Sequence, residues 1–183
     1  MALNPYVEQF CDRWRQKAGS YGIDKTEDWF DRFFTLWVLF NALYTEVAFR
    51  TGNAGLPDDT AAQDNLLHYL TATAFVTQLE ADHTVVNALT EIQAFLRSHQ
   101  YFLKLDRRTG ERQPEEDEKL LAGLQSNARN DKGKAILEAL YCVRCNMFHG
   151  HKAFDPIQVD LLRPMIVVLE KVTDVTRSKL QDA

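Results

Sequence analysis

The stretch Tyr141-Cys142-Val143-Arg144-Cys145-Asn146-Met147-Phe148-His149-Gly150-His151-Lys152 joins a helical pattern to a glycine and a loop. It combines an arginine, an asparagine, two histidines and a lysine, the side chains best suited to phosphate chemistry. Gly150 is typical of a residue that ends a helix. Apolar residues recur at helical spacing through the stretch and upstream of it, and they predict a buried stripe formed by Ile136, Leu140, Val143 and Met147.

The spacing of Arg144 and His149 sets a geometric condition. On an unbroken helix the two side chains would point about 140° apart, because each residue advances by ~100°. They converge only if the helix ends near His149, or if a second subunit supplies the other half of the site.

Composition predicts one soluble domain over residues 1–183, long enough to bury a core. Three cysteines give no disulfide framework, and no signal peptide begins the chain, so we expect a cytoplasmic protein. The aromatic run from Phe33 to Tyr44 is too short to span a bilayer and contains Asn41, so no membrane association is expected. A net charge of −5 disfavours nucleic-acid binding over a large surface and leaves room for a small basic pocket.

The periodicity predicts an all-α bundle of about six or seven helices, with a short hairpin or irregular insertion near residues 101–114. Asn4-Pro5 predicts the first helix start. The second helix, about Trp29 to Arg50, is apolar nearly all round and should be buried on several sides. Asn41 is the one amide in this apolar stretch. It is either a hydrogen-bonded core residue or a polar group that faces the functional site.

Local signals place the remaining boundaries. Asp58-Asp59-Thr60 predicts the cap of one helix reaching Leu79, and Asn130 to Gly133 predicts a loop before the motif helix. With Asp160 as the cap of the last helix, Pro164 would fall in its first turn, where proline is tolerated.

The residue types in the motif suit metal-free cleavage of RNA. That reaction needs a base for the ribose 2′-hydroxyl, an acid for the leaving oxygen and a cation for the phosphate. Histidine titrates near neutrality, and arginine binds phosphate with a fork of donors. A structural alternative is that Arg144 and His149 only bind the carbonyl groups at the helix end.

The string from Arg144 to Gly150 resembles the motif of HEPN domains, which are small helical bundles named for nucleotide binding in higher eukaryotes and prokaryotes. Their hallmark is an arginine, four to six residues and a histidine, often with asparagine soon after the arginine. Here the spacing is four residues, and Asn146 and Lys152 are present. The aromatic stretch ending at Tyr44 also resembles the long early helix of that family.

The resemblance implies a metal-independent endoribonuclease that leaves a 2′,3′-cyclic phosphate and uses no cofactor or metal. It implies that Arg144 and His149 are catalytic, that Asn146 supports them and that two subunits face each other in a homodimer. His151 and Lys152 lie where they could touch the same anion. Such domains are often toxins of toxin–antitoxin pairs or effectors of phage defence. Their partners include an antitoxin or a nucleotidyltransferase that modifies a tyrosine two residues after the motif histidine; His151 occupies that position here.

Two alternatives remain open at this level. Cys142, Cys145, His149 and His151 provide four zinc-ligand types, although the string leaves almost no loop between the two pairs. Some HEPN domains have lost activity, so the chain is alternatively a non-catalytic helical module that dimerises or binds a nucleotide or protein partner.

Overall fold

The computed structural model describes residues 3–99, 102–106, 108–148 and 156–182, and these form an all-α fold, as predicted. In chain order the helices are α1 (Pro5–Gly19), α2 (Thr26–Arg50), α3 (Asp58–Thr60), a π-helical turn (Ala61–Asn65), α4 (Leu66–Leu70), α5 (Ala72–Glu80), α6 (His83–Arg97), α7 (Pro114–Gln125), α8 (Arg129–Phe148) and α9 (Pro156–Asp182). No helix in the described part of the chain has the length and apolar character needed to cross a membrane.

Helix α2 is the centre of the bundle and packs against α1 on one side and α9 on another. Its buried aromatic residues form a continuous series, in which the Trp37 and Phe40 rings and the Phe40 and Tyr44 rings lie 5.2 Å apart, edge to face. The Trp37 ring also lies 5.9 Å from that of Tyr141 on α8. Burial of an apolar helix on several sides was the expectation, and these contacts connect α2 directly to the motif helix.

The predicted single helix from Asp58 to Leu79 is wrong, because the chain breaks at Thr71. This residue adopts φ 60°, a left-handed conformation that is rare for a β-branched side chain. The change of direction lets both flanking segments bury their apolar faces, with Leu66, Leu67 and Leu70 before it and Phe75, Val76 and Leu79 after it. Tertiary packing therefore outweighs the local preference for one continuous helix.

The predicted loop over Asn130–Gly133 is also wrong, because α8 already begins at Arg129. Gly133 lies inside the helix, where a β-carbon would come within 2.7 Å of the Leu67 side chain. The glycine therefore permits close packing of α8 on α4 and is not a turn residue. Sequence alone does not distinguish these two uses of glycine.

The last helix begins earlier than predicted, at Pro156 and not after Asp160, so Pro164 lies inside α9. Gln158, Val159, Leu161 and Leu162 are buried, which extends the packed face of α9 upstream of Pro164. Arginines anchor α9 to the first two helices through Arg32–Glu170 at 2.9 Å and Arg177–Asp12 at 2.7 Å. These contacts hold α2, one of the helices that contribute to the site, against α1 and α9.

The insertion between α6 and α7 forms a minimal hairpin, in line with the prediction. Leu105 and Arg112 make an isolated antiparallel bridge, and the Asp106 amide donates to the Glu111 carbonyl at 2.8 Å. The Asp106 carboxylate accepts the backbone N–H groups of Arg108 and Thr109 at 2.8 and 2.9 Å, and Gly110 has φ 72°. Aspartate at the start and glycine at the end therefore stabilise this turn.

Candidate functional site around Arg144

Helix α8 positions the first half of the motif. Ile136, Leu140 and Val143 are buried and Met147 packs partly against the core, so the predicted stripe is confirmed. Arg144 projects from another face, with 23% of its side chain exposed. His149, Gly150, His151 and Lys152 lie outside the described residues, so the convergence of Arg144 with His149 stays a prediction.

Asp58 is the acceptor at the centre of a polar cluster beside Arg144. Its Oδ1 accepts the Tyr44 hydroxyl at 2.5 Å, and its Oδ2 accepts the Tyr141 hydroxyl at 3.2 Å. The same Oδ2 lies 3.5 Å from Arg144 Nη2. Asn41 donates to the Tyr44 hydroxyl and lies 3.5 Å from Asp58 Oδ1. We name these five residues the Asp58 cluster.

Burial and the Asp58 charge act together on the two tyrosines. Burial raises the pKa of Tyr44, and the hydrogen bond to Asp58 raises it further. Burial also raises the pKa of Tyr141, with the negative charge of Asp58 as the next cause. Both phenols therefore stay protonated at neutral pH and act as donors that hold the carboxylate in place.

Neighbouring side chains hold the Arg144 guanidinium in place. Besides Asp58, it lies over the Tyr141 ring at 5.6 Å from the centroid, and its Nη1 lies 3.8 Å from the Cys145 sulfur. Burial alone lowers the pKa of Arg144, but Cys145 and Asp58 raise it by more, so the net direction is upward. The result is an oriented cation that stays charged and is partly open to solvent.

Asn146 faces a different neighbour from Arg144. It is buried, and its Nδ2 donates to the Leu103 carbonyl at 2.9 Å. The Leu103 and Lys104 amides in turn donate to the buried Asp117 carboxylate at 2.9 to 3.2 Å. Asn146 thus ties α8 to the start of the hairpin, and a supporting role in catalysis remains a prediction.

A cavity of about 360 Å³ lies between α8 and the hairpin. Tyr141, Cys142, Cys145 and Asn146 line it from the helix. The hairpin side consists of Leu103, Lys104, Leu105, Asp106, Arg108 and Gln113. Two of its helix residues, Tyr141 and Cys145, are also the neighbours of the Arg144 guanidinium, so the cavity adjoins the Asp58 cluster.

Both motif cysteines are free and only partly buried. Desolvation raises the pKa of the Cys142 thiol to about 12. Among the described residues, no three histidine, cysteine, aspartate or glutamate side chains cluster as a metal site would require. The zinc alternative also needs His149 and His151, which lie outside those residues.

Sequence reasoning missed the Asp58 cluster. It assigned Asp58 to a helix cap, and Tyr44 and the residues around it to core packing. It named Asn41 with two alternative roles, and the structure makes this amide a member of the cluster. The spacing of Tyr141 and Arg144, three residues apart on one helix face, could have predicted that these two side chains are neighbours. No local sequence pattern indicates that either residue contacts Asp58.

Comparison with known proteins finds no matching family model, no matching curated protein and no matching solved structure. By its structure the chain is an all-α bundle in which a partly buried arginine lies beside a polar cluster.

Proposed function

We propose that this protein is a metal-independent endoribonuclease of the HEPN type that leaves a 2′,3′-cyclic phosphate. The observation that carries the proposal is the string from Arg144 to Gly150, together with the position of Arg144 on the described surface. Arg144 binds the phosphate, and His149 transfers the proton. Asn146 supports the helix end, while His151 and Lys152 contribute to binding of the same anion.

The environment of Arg144 supports this role. A guanidinium that is charged, oriented and partly exposed is suited to stabilise charge developing on a phosphate. The Asp58 carboxylate and the Tyr141 ring contact the guanidinium, and 23% of the Arg144 side chain stays exposed to solvent. An incoming phosphate therefore adds contacts to a group whose orientation is already set.

We further propose that the active form is a homodimer. An apolar groove of about 480 Å³ runs between α1 and α2, lined by Tyr6, Val7, Phe10, Asn41, Ala42, Thr45, Glu46 and Phe49. Tyr6 and Phe49 are 83% and 72% exposed, which is unusual for such large apolar groups. A second copy fits as occupant because Asn41 belongs both to this groove and to the Asp58 cluster. A two-fold interface here would bring both clusters close together.

The decisive experiment is cleavage of a labelled mixed RNA in excess EDTA. We expect wild-type protein to cut and leave cyclic phosphate ends, and Arg144→Ala and His149→Ala to lose cleavage by roughly 10²-fold or more. Arg97→Ala and His68→Ala, which alter exposed residues on α6 and α4, serve as matched controls and should cut normally. Equal cleavage by wild type and His149→Ala would contradict the proposal.

The biological role proposed with this activity is that of a toxin or defence effector, with an antitoxin or nucleotidyltransferase as partner. The alternative, a non-catalytic dimerisation or partner-binding module, is favoured by the exposed apolar groove. Induced expression in bacteria separates the two. Growth arrest that disappears with Arg144→Ala and His149→Ala supports the nuclease, whereas arrest that survives both changes supports the module.

A further inference from the structure

We propose that the cavity between α8 and the hairpin binds one nucleobase of the RNA strand whose phosphate contacts Arg144. This inference rests on the proposed function and adds a base-recognition subsite to it. The hairpin that builds half of the cavity lies outside both stretches that resemble HEPN domains. The subsite is accordingly a property of this chain's own insertion.

The lining of the cavity suits a planar ring with polar edges. Leu105 supplies apolar surface, and the largely buried Leu103 and Tyr141 also line the cavity. Gln113 carries an amide that can donate and accept together, as base edges do. Within the described ranges no hydrogen bond involves the Gln113 side chain, so its amide is available to a ligand. A volume of about 360 Å³ lies within the range of small-molecule sites.

The charged residues that line the cavity are Lys104, Asp106 and Arg108, and two of them are already engaged. Lys104 is paired with Glu138, and the Asp106 carboxylate accepts two backbone N–H groups of the turn. Arg108 is exposed, and its side chain pairs with no carboxylate among the described residues. A lone anion such as sulfate would leave the apolar wall and the Gln113 amide unused. A nucleotide uses both, with its base inside and a phosphate outside.

The cavity and the proposed phosphate site share residues. The Arg144 guanidinium lies over the Tyr141 ring and against the Cys145 sulfur, and both residues line the cavity. A phosphate on Arg144 would therefore lie beside the cavity opening. The attached nucleoside would extend past Tyr141 into the cavity and place its base against Leu105.

Hydrogen bonds within the protein fix the position of Leu103 and of the base of the hairpin. Leu103 is held at its N–H by Asp117 and at its carbonyl by Asn146. The backbone N–H of Gln113, as distinct from its side-chain amide, donates to the Lys104 carbonyl at 2.9 Å. This bond closes the base of the hairpin. Preorganisation of this kind lowers the entropic cost of binding and allows discrimination between bases.

The first test titrates the protein with the four 5′-mononucleotides, which lack a scissile linkage and so report binding without cleavage. We expect one base to bind best, and Gln113→Ala to weaken that binding about tenfold, the loss expected for one hydrogen bond to a buried ligand. Gln125→Ala, an exposed amide at the end of α7, is the matched control. Bound nucleotide should also slow alkylation of Cys145. Absence of selective binding, or failure of Gln113→Ala to weaken it, would overturn the subsite.

The second test compares a tetranucleotide with the free mononucleotide. A base subsite for RNA predicts that the tetranucleotide binds more tightly and loses that advantage in Arg144→Ala. Tighter binding of the free nucleotide, unaffected by Arg144→Ala, would overturn the assignment to RNA.

The two proposals fail in different ways. RNA cleavage in EDTA whose base preference is unchanged by Gln113→Ala would overturn the subsite and leave the nuclease intact. Selective nucleotide binding that Gln113→Ala abolishes, without any RNA cleavage, would support the subsite and overturn the nuclease.

Discussion

At the residue scale, Asp58 connects parts of the chain that local sequence does not link. Its carboxylate accepts hydrogen bonds from Tyr44 on α2 and Tyr141 on α8, and it lies beside Arg144. The Tyr44 side chain is only 1% exposed, so its hydroxyl depends on an acceptor within the protein. The Asp58 side chain is 41% exposed, so its ion pair with Arg144 contributes little to stability.

Replacing Asp58 should therefore destabilise the fold mainly through Tyr44. We expect Asp58→Ala to lower the free energy of unfolding by about 1–3 kcal/mol, because the buried hydroxyl loses its acceptor. Asp58→Asn keeps an acceptor oxygen and should cost less. Urea unfolding followed by circular dichroism measures both. Asp64→Ala, which removes an exposed pair with Lys134, is the control, and equal unfolding midpoints for the two alanine variants would contradict this account.

At the element scale, two of the helix starts follow the local capping rule. Asn4 caps α1 with an Oδ1 that accepts the Tyr6 N–H at 3.0 Å. Asp82 caps α6 in the same way through the Thr84 N–H at 3.1 Å, and it also binds Lys171 of α9 at 3.1 Å. A single cap therefore fixes both a helix start and a contact between helices.

Asp82 should make the α6–α9 contact sensitive to acid. The Thr84 hydroxyl and then Lys171 lower the pKa of the Asp82 carboxyl from 3.8 to about 2. Because the pKa of Asp82 is lowered in the folded state, the stabilisation that the ionised Asp82 carboxylate provides is complete above pH 4. It is lost as the pH falls towards 2. We expect the melting temperature of Asp82→Asn to fall less steeply than that of wild type as the pH is lowered from 4 to 2.

Thermal unfolding monitored at several pH values over that window checks the effect. Asp24→Asn, in the exposed loop before α2, is the matched control and should follow wild type. If the melting temperature of Asp82→Asn falls with decreasing pH as steeply as that of wild type, other carboxylates cause the acid sensitivity and Asp82 does not.

At the scale of the whole molecule, the distribution of exposed apolar groups is uneven. Tyr6, Phe10 and Phe49 lie together along the α1–α2 groove, whereas Ile23 is exposed on its own in the loop before α2. Isolated apolar residues are ordinary on protein surfaces, but grouped ones mark interaction sites.

If this groove is the dimer interface, a charge introduced in the groove should disrupt the dimer. The same charge introduced at another exposed position should not. We expect wild-type protein to sediment as a dimer at micromolar concentration and Phe49→Glu to sediment as a folded monomer, because a carboxylate would be buried in the apolar interface. Ile23→Glu adds the same charge at a comparably exposed position, 60% against 72%, and should remain dimeric. A wild-type monomer, or a dimer unaffected by Phe49→Glu, would remove the groove from the proposed interface.

The sequence by itself determined the all-α class, the buried α2, the Asn4 cap of α1, the apolar stripe of α8 and the motif around Arg144. These features depend on periodicity and on neighbours within one or two helical turns, which a sequence displays directly. Tertiary structure decided the break at Thr71, the helical position of Gly133, the early start of α9, the Asp58 cluster and the cavity. Each of these depends on contacts between segments distant in the chain, where packing and hydrogen-bond satisfaction outweigh local preference.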